Sequence, residues 1–186
     1  MDFITLLNKD QQRIIKDVVM HPYQVNQDES GLLVETLRRD WDDIFDNERK
    51  FFMQYYSETP SGVARDEAVW HYHPTVQDDR FSVVKGEIVV AIADNRYDSP
   101  TRDVLNLFYI NARENPYLLL VPRQTLHGFM VVSKEPALLI NFPTGLYNPK
   151  EEGRIPYEQA KVKINAGTGE LFNWNIVRQN FSHLSS

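Results

Sequence analysis

From Leu32 to Phe142 the apolar residues arrive in short runs rich in β-branched and aromatic side chains, bounded by Pro, Gly, Asn or Asp clusters. The runs are Leu32–Thr36, Phe51–Ser57, Phe81–Ala93, Val104–Ile110, Tyr117–Val121, Gly128–Val132 and Ala137–Phe142, and each reads as a strand. Lys85-Gly86 splits the longest run into a hairpin. Closely spaced strands with almost no helical pattern between them exclude βαβ units. They predict an all-β fold, a sandwich or barrel of antiparallel strands. No period repeats, which removes solenoids and propellers. Helix is expected only at the margins. Phe3, Leu6, Leu7, Ile14 and Ile15 fall near helical spacing and predict a short helix to about Ile15. Extended chain follows, because His21 precedes Pro22. Trp41–Asn47 has room for one helical turn or two.

A length of 186 residues with 42% hydrophobic content suits one domain with a sizeable core. The chain carries 20 Lys+Arg against 26 Asp+Glu, a net charge of −6. With no basic run or stripe, this argues against a nucleic-acid or anionic-membrane partner. No apolar run approaches the ~18 residues of a membrane span, and Met1–Asp10 lacks the basic-then-apolar order of a signal peptide. Cysteine is absent. That removes disulfides, zinc–thiolate and iron–sulfur sites and thiol catalysis together, and it suits a reducing cytoplasm. The chemistry falls to His, carboxylates, Tyr, Lys or Arg.

Of five histidines, three lie among the strands: His71, His73 and His127. Residues i and i+2 of a strand share a face, so His71 and His73 project side by side across Tyr72. Asp79 follows before the Phe81–Val84 strand, and His127 closes a second strand-rich block five residues after Pro122. Three histidines and a carboxylate at defined spacing point to a functional site; the competing reading is a hydrogen-bonded polar cluster in the core. His21 and His183 read as surface residues. Phe51, Phe52, Tyr55, Tyr56, Trp70, Tyr72 and Phe129 read mainly as β core.

These spacings resemble the two motifs of the cupin superfamily, small jelly-roll β-barrels. The first appears as His71-Tyr72-His73, then Asp79 at the Glu position, then Gly86; the second as Pro122 and His127, with Gln124 replacing a Gly. Gly62 lies too far before His71, which implies a three-residue insertion around Asp66–Ala68. Over Val18–Tyr157 a closer resemblance is to the dTDP-4-dehydrorhamnose 3,5-epimerases. It is carried by Asp28-Glu29-Ser30-Gly31 with Glu35, by Gly62-Val63-Ala64-Arg65 followed by Trp70-His71-Tyr72, and by Val83-Val84-Lys85-Gly86-Glu87. Asp94-Asn95-Arg96 with Ser99-Pro100-Thr101, His127-Gly128-Phe129, and Tyr147-Asn148-Pro149 through Arg154-Ile155-Pro156 complete it.

The resemblance implies a cupin-type jelly-roll barrel with short N-terminal and peripheral helices. Residues 1–186 then form a single domain: an N-terminal helical segment 1–15, the jelly roll 16–157 and a C-terminal extension 158–186. It also implies a cytoplasmic homodimer whose N-terminal strands cross to the partner, and an isomerase needing no cofactor. The substrate class is a dTDP-4-keto-6-deoxy-hexose of deoxysugar biosynthesis. Inversion next to a ketone passes through an enolate. It therefore needs a base, a donor or cation for the enolate oxygen, and an acid on the opposite ring face. The resemblance makes His71 the base, His127 a donor to the keto oxygen and Tyr147 a stand-in acid. It places Arg65, His73 and Gln77 against the substrate, with Arg65 on the diphosphate.

Three departures bear on turnover. Asp79 stands where the family has its enolate-stabilising Lys, and Ile140 where it has its acid Tyr. The stretch that supplies the Asp orienting the base is not recognisable in Val162–Ser186. Ser30 also replaces a substrate-binding Arg. Single-site epimerisation, keto-isomerisation and sugar-nucleotide binding without turnover stay open on the sequence. So does a metal-dependent enzyme acting on another small molecule. In that alternative His71, His73, Asp79 and His127 hold a divalent ion that serves as the Lewis acid in place of the Lys.

Overall fold

The computed structural model describes residues 2–164 and 169–184. Twelve strands form in chain order: β1 (Val19–Pro22), β2 (Val25–Asp28), β3 (Gly31–Val34), β4 (Tyr55–Thr59), β5 (Val69–Tyr72), β6 (Asp79–Lys85), β7 (Glu87–Ala93), β8 (Leu105–Asn111), β9 (Tyr117–Val121), β10 (Leu126–Val131), β11 (Ala137–Asn141) and β12 (Gly153–Pro156). Two short helices, α1 (Tyr157–Ala160) and α2 (Trp174–Arg178), follow. One five-stranded sheet has the order β1-β9-β6-β11-β4, the other β12-β5-β10-β7-β8, and β2-β3 stand apart as a ribbon. Every strand pair is antiparallel. The all-β jelly-roll expectation holds.

Strand alternation makes the core. On β7, Ile88, Val90 and Ile92 face Phe81, Val83, Leu119, Val121 and Phe129 between the sheets. Val89, Ala91 and Ala93 point the other way, onto Trp70, Phe172, Trp174 and Val177. The C-terminal segment thus covers the outside of the second sheet. Ile44, with Trp41 and Phe45, covers Leu118 and Leu120 on the outside of the first. Each large side chain so buried contributes about 1.5–3 kcal/mol. Gly86 turns β6 into β7 at φ +78, and a Cβ there would meet Ala137 Cα at 2.9 Å, so the hairpin needs this glycine.

Two expectations are corrected. No α-helix occupies 2–15; Lys9–Gln11 make one 3-10 turn. Ile4 is instead buried in a bridge to Phe108. Asn8 competes with helix by accepting from Thr5 N (2.7 Å) and donating to Phe3 O (2.9 Å). Second, Phe51, Phe52, Tyr55 and Tyr56 are exposed rather than core. They lie on or before β4, the edge strand of its sheet. The chain does make a single helical turn at Trp41, with Phe45 N donating to Trp41 O at 2.9 Å.

Candidate active site

β5 and β10 pair so that His71 and His127 stand directly opposite each other. On the other flank of β5, Arg154 stands opposite His71. Gly153 faces Tyr72 so closely that a Cβ would lie 2.3 Å from the ring, and this absence of a side chain seats β12 against β5. The preceding residue, Glu152, thereby reaches His71, with Oε2 3.5 Å from Nε2. His73 lies just beyond β5 on the same face. The three imidazoles are mutual neighbours, with ring centroids 4.7, 5.1 and 5.6 Å apart.

A cavity of about 200 Å³ opens between the sheets over these rings. One wall comes from the second sheet and its flanks: Arg65, His71, His127, Glu152 and Arg154. The facing wall comes from the first: Tyr55, Asp79, Phe81 and Leu139. A wider surface groove, lined by Lys16, Tyr72 and Tyr97, receives the side of β5 that points away from the histidines. The Arg96 at its edge is committed to Asp94 (2.9 Å) and Asp17 (3.0 Å).

The floor of the cavity is a closed polar network. His73 donates Nδ1–H to Glu151 O at 2.8 Å, and its Nε2 lies 3.0 Å from Asp79 Oδ2. His127 sets Nδ1 3.2 Å from Thr125 O and Nε2 3.3 Å from the same Asp79 oxygen. Gln77 and Asn141 each donate to Asp79 Oδ1, at 2.9 and 2.8 Å. Glu151 fixes the loop beneath by accepting from Thr75 N (3.1 Å) and Val76 N (3.0 Å). Burial opposes charge on His73, but the Asp79 hydrogen bond and negative charge outweigh it and hold the imidazole up to about 8. Burial likewise pushes Asp79 up, yet the hydrogen bonds from His127 and His73 take it well below the usual carboxylate range. His71 goes the other way: burial, reinforced by electrostatic repulsion from the neighbouring His127 and His73 rings, pushes it down to about 3. Its ring is neutral near pH 7. His71 Nδ1 is buried with no partner among the described residues.

The sequence-picked residues divide accordingly. His71, His73, Asp79, His127 and Arg65 converge on the cavity. The Asp66–Ala68 insertion does not displace Arg65, because Arg65 N is held on Phe129 O (2.9 Å) and Arg178 grips Glu67 at 2.8 Å. Gln77 is buried behind His73 and Asp79, outside the cavity lining. Tyr147 is 69% exposed and does not line the cavity, so the stand-in acid is not at hand there. Ile140 falls opposite Tyr56 on β4, and its neighbour Asn141 opposite Tyr55. Sequence reasoning missed Glu152, Arg154, Asn141 and Tyr55 as site residues. Only the nearness of Glu152 to Gly153 carried a signal. His71, His73 and His127 each offer a ring nitrogen within 4.8 Å of the others, a donor set that fits a divalent cation; Asp79, expected as the fourth ligand, contacts His73 and His127 and does not belong to that converging set.

Comparison with known proteins gives concordant results. Residues 12–181 match the family model described as dTDP-4-dehydrorhamnose 3,5-epimerase. The probable low-salt glycan biosynthesis epimerase Agl13 of Haloferax volcanii is 45% identical over 148 residues, 77% of this chain and 89% of its own length. A dTDP sugar isomerase from Desulfovibrio desulfuricans superposes with a TM-score of 0.72 at 24% identity, over 84% of this chain and 95% of that one. The dTDP-6-deoxy-D-glucose-3,5-epimerase of Legionella pneumophila, solved with dTDP-4-keto-L-rhamnose, superposes with a TM-score of 0.68 at 25% identity, over 78% and 76% of the two chains. Match, relative and fold agree with a histidine-lined barrel cavity: the chain belongs to the dTDP-4-dehydrorhamnose 3,5-epimerase family and is a sugar-nucleotide epimerase.

Proposed function

We propose that the chain inverts a carbon next to the ketone of a dTDP-4-keto-6-deoxy-hexose, with His71 as the base. The observation that carries this is the placement of His71: an imidazole that lines the cavity with a carboxylate, Glu152, 3.5 Å from Nε2. A carboxylate there steadies the imidazolium as it forms, which offsets the cost of charging a buried ring. A cavity of about 200 Å³ takes the hexose. It is smaller than the ~300–1,000 Å³ typical of drug-sized ligands, so the nucleotide lies over the rim. Arg65 and Arg154 line that side and suit the diphosphate. The enolate oxygen falls to His127, which holds Asp79 less closely than His73 does.

Exchange of solvent deuterium into dTDP-4-keto-6-deoxyglucose tests the reading, with a loss of about a hundredfold or more expected in His71→Ala. Absence of exchange in the wild-type chain refutes it. The reaction as proposed uses no cofactor. One observation favours a second reading, the convergence of nitrogens from His71, His73 and His127. Near-stoichiometric metal in protein purified without a His tag would support that reading, and would bar a metal-bound His71 from acting as base.

We also read residues 1–186 as one domain, since the C-terminal segment completes the packing on β7. Residues 165–168 and 185–186 of the extension lie outside the described residues. A homodimer is supported by the β2–β3 ribbon, in which Leu32 and Leu33 are 43% and 63% exposed. A lone two-stranded ribbon is marginal in water, and a partner surface would cover it. A monomeric mass at micromolar concentration refutes this. No helix among the described residues is long and apolar enough to cross a membrane. A cytoplasmic setting is supported by the lack of cysteine.

A further inference from the structure

Inversion leaves the enolate needing a proton on the face opposite the base, and the residue at the expected acid position, Ile140, has none to give. We propose that Tyr55 is that acid, a phenol on β4 that faces His71 across the cavity. This rests on the epimerase reading and assigns its second proton-transfer group.

The geometry points there in three steps. His71 is carried by the second sheet and Tyr55 by the first, and both line the same cavity, so a ring bound between them meets one group on each face. Next, the network decides which way the Tyr55 hydroxyl is used. Arg80 N donates to Asn141 Oδ1 at 3.0 Å, which fixes the amide. Its Nδ2 must then donate, to Asp79 Oδ1 and to Tyr55 Oη, both at 2.8 Å. The phenol oxygen therefore accepts from Asn141, and its own proton is left for an acceptor in the cavity. The same Asn141 N–H stabilises the phenolate once that proton has gone. Finally, the other histidines and the charged groups beside His71 are excluded. Glu152 and Arg154 flank His71 on its own side. His73 has both ring nitrogens on protein oxygens, and His127 stands on the same sheet as His71, paired directly opposite it. Burial and the Asp79 charge hold the Tyr55 phenol up to about 12, so it enters the reaction protonated. Although the residue is 45% exposed, its hydroxyl end is the part against Asn141.

The step balances without a co-reactant. His71 Nε2 takes the proton from the carbon beside the ketone, and the C–H electron pair passes into the enolate. The enolate carbon then forms a C–H bond with the Tyr55 proton on the other face, leaving tyrosinate and imidazolium. Solvent at the cavity mouth returns one proton to Tyr55 and removes one from His71.

The two proton transfers are separable in D2O. Exchange needs only the base, because a deuterated His71 returns deuterium to the face it came from; inversion needs the acid as well. With dTDP-4-keto-6-deoxyglucose, Tyr55→Phe is expected to keep deuterium exchange within about threefold of wild type while inversion falls about a hundredfold or more. Inversion at the wild-type rate in Tyr55→Phe overturns the proposal. So does a parallel loss of exchange and inversion with an unchanged melting temperature, which would put Tyr55 at the abstraction step. Should the variant melt early, a fluorotyrosine at position 55 keeps the packing and makes the phenol more acidic. The alkaline limb of inversion, not of exchange, then moves to lower pH; no movement overturns the proposal. A wild-type chain with no exchange is the failure of the epimerase reading itself, and takes this assignment with it.

Discussion

On the cavity floor His73 places one ring nitrogen on Glu151 O at 2.8 Å and the other on Asp79 at 3.0 Å, and is 3% exposed. At the rim His71, two residues earlier on the same face, has Nδ1 unpartnered among the described residues and only a 3.5 Å approach from Glu152 at Nε2. The first imidazole is held up to about 8 and the second pushed down to about 3. Identical side chains two residues apart are thus driven apart by what surrounds them, and titratable groups driven apart in this way commonly divide the roles of a site. The floor is satisfied polar structure; at the rim His71 lines the cavity with only the long Glu152 contact at Nε2. A buried nitrogen without a partner costs about 1–3 kcal/mol, which is expected where the chain gives up stability for chemistry.

The largest break in that contrast is Asp79→Ala. It strips the shared carboxylate from two buried histidines and from Gln77 and Asn141. Removing one partner of a buried ionic cluster typically costs about 3–5 kcal/mol. His71→Ala, which removes a ring that already lacks a good partner, is expected to cost less than half as much. Urea unfolding of the two variants checks this. Equal losses would mean that floor and rim are one structural unit.

Next in size is the pH dependence of the floor. The folded-state value of His73 lies above the unfolded ~6.5, so its contribution is complete below that pH and disappears as pH rises through about 8. Asp79 is depressed, so its contribution is present above the unfolded carboxylate value and lost as pH falls. The expected loss on the alkaline side is about 2 kcal/mol, from one to two pKa units. Unfolding free energy measured from pH 6 to 9 should fall accordingly, and His73→Gln should flatten the curve. A wild-type profile flat over that range would mean that His73 is not held as an imidazolium.

The strands that build this site were unequally legible. Tyr117–Val121 is the same run in sequence and structure, and the Lys85-Gly86 break falls between β6 and β7. Those strands are interior and buried, so their composition carries the signal. β1 and β12 each end on a proline and lie at sheet edges, where a missing N–H is tolerated and strand composition is diluted. The histidines could be read because their i, i+2 spacing alone puts two on one face of a strand. Tyr55 could not: a β4 aromatic reads as core until the sheet order makes β4 an edge and the Asn141 amide fixes the direction of its hydrogen bond. Glu152 was hidden for a related reason, since its reach to His71 depends on β12 pairing across more than eighty residues of chain.

The smallest effect expected falls on Glu152 itself, and it sharpens the rim side of the contrast. Glu152 acts through His71 by steadying the imidazolium, so Glu152→Gln should lower kcat for exchange about tenfold, or about 1.4 kcal/mol of barrier. KM should stay near wild type, because the contact is to the base and not to the sugar. Stability should change by no more than about 0.5 kcal/mol, as the side chain is partly exposed and its contact to His71 is long. Glu152→Asp, shorter by one methylene but still charged, should recover part of the rate if charge is what matters. A raised KM with kcat intact would instead place Glu152 on the substrate, leaving His71 with no carboxylate beside it on the rim. The exchange reaction would then depend on the floor alone, and Asp79→Asn would slow it more than Glu152→Gln does.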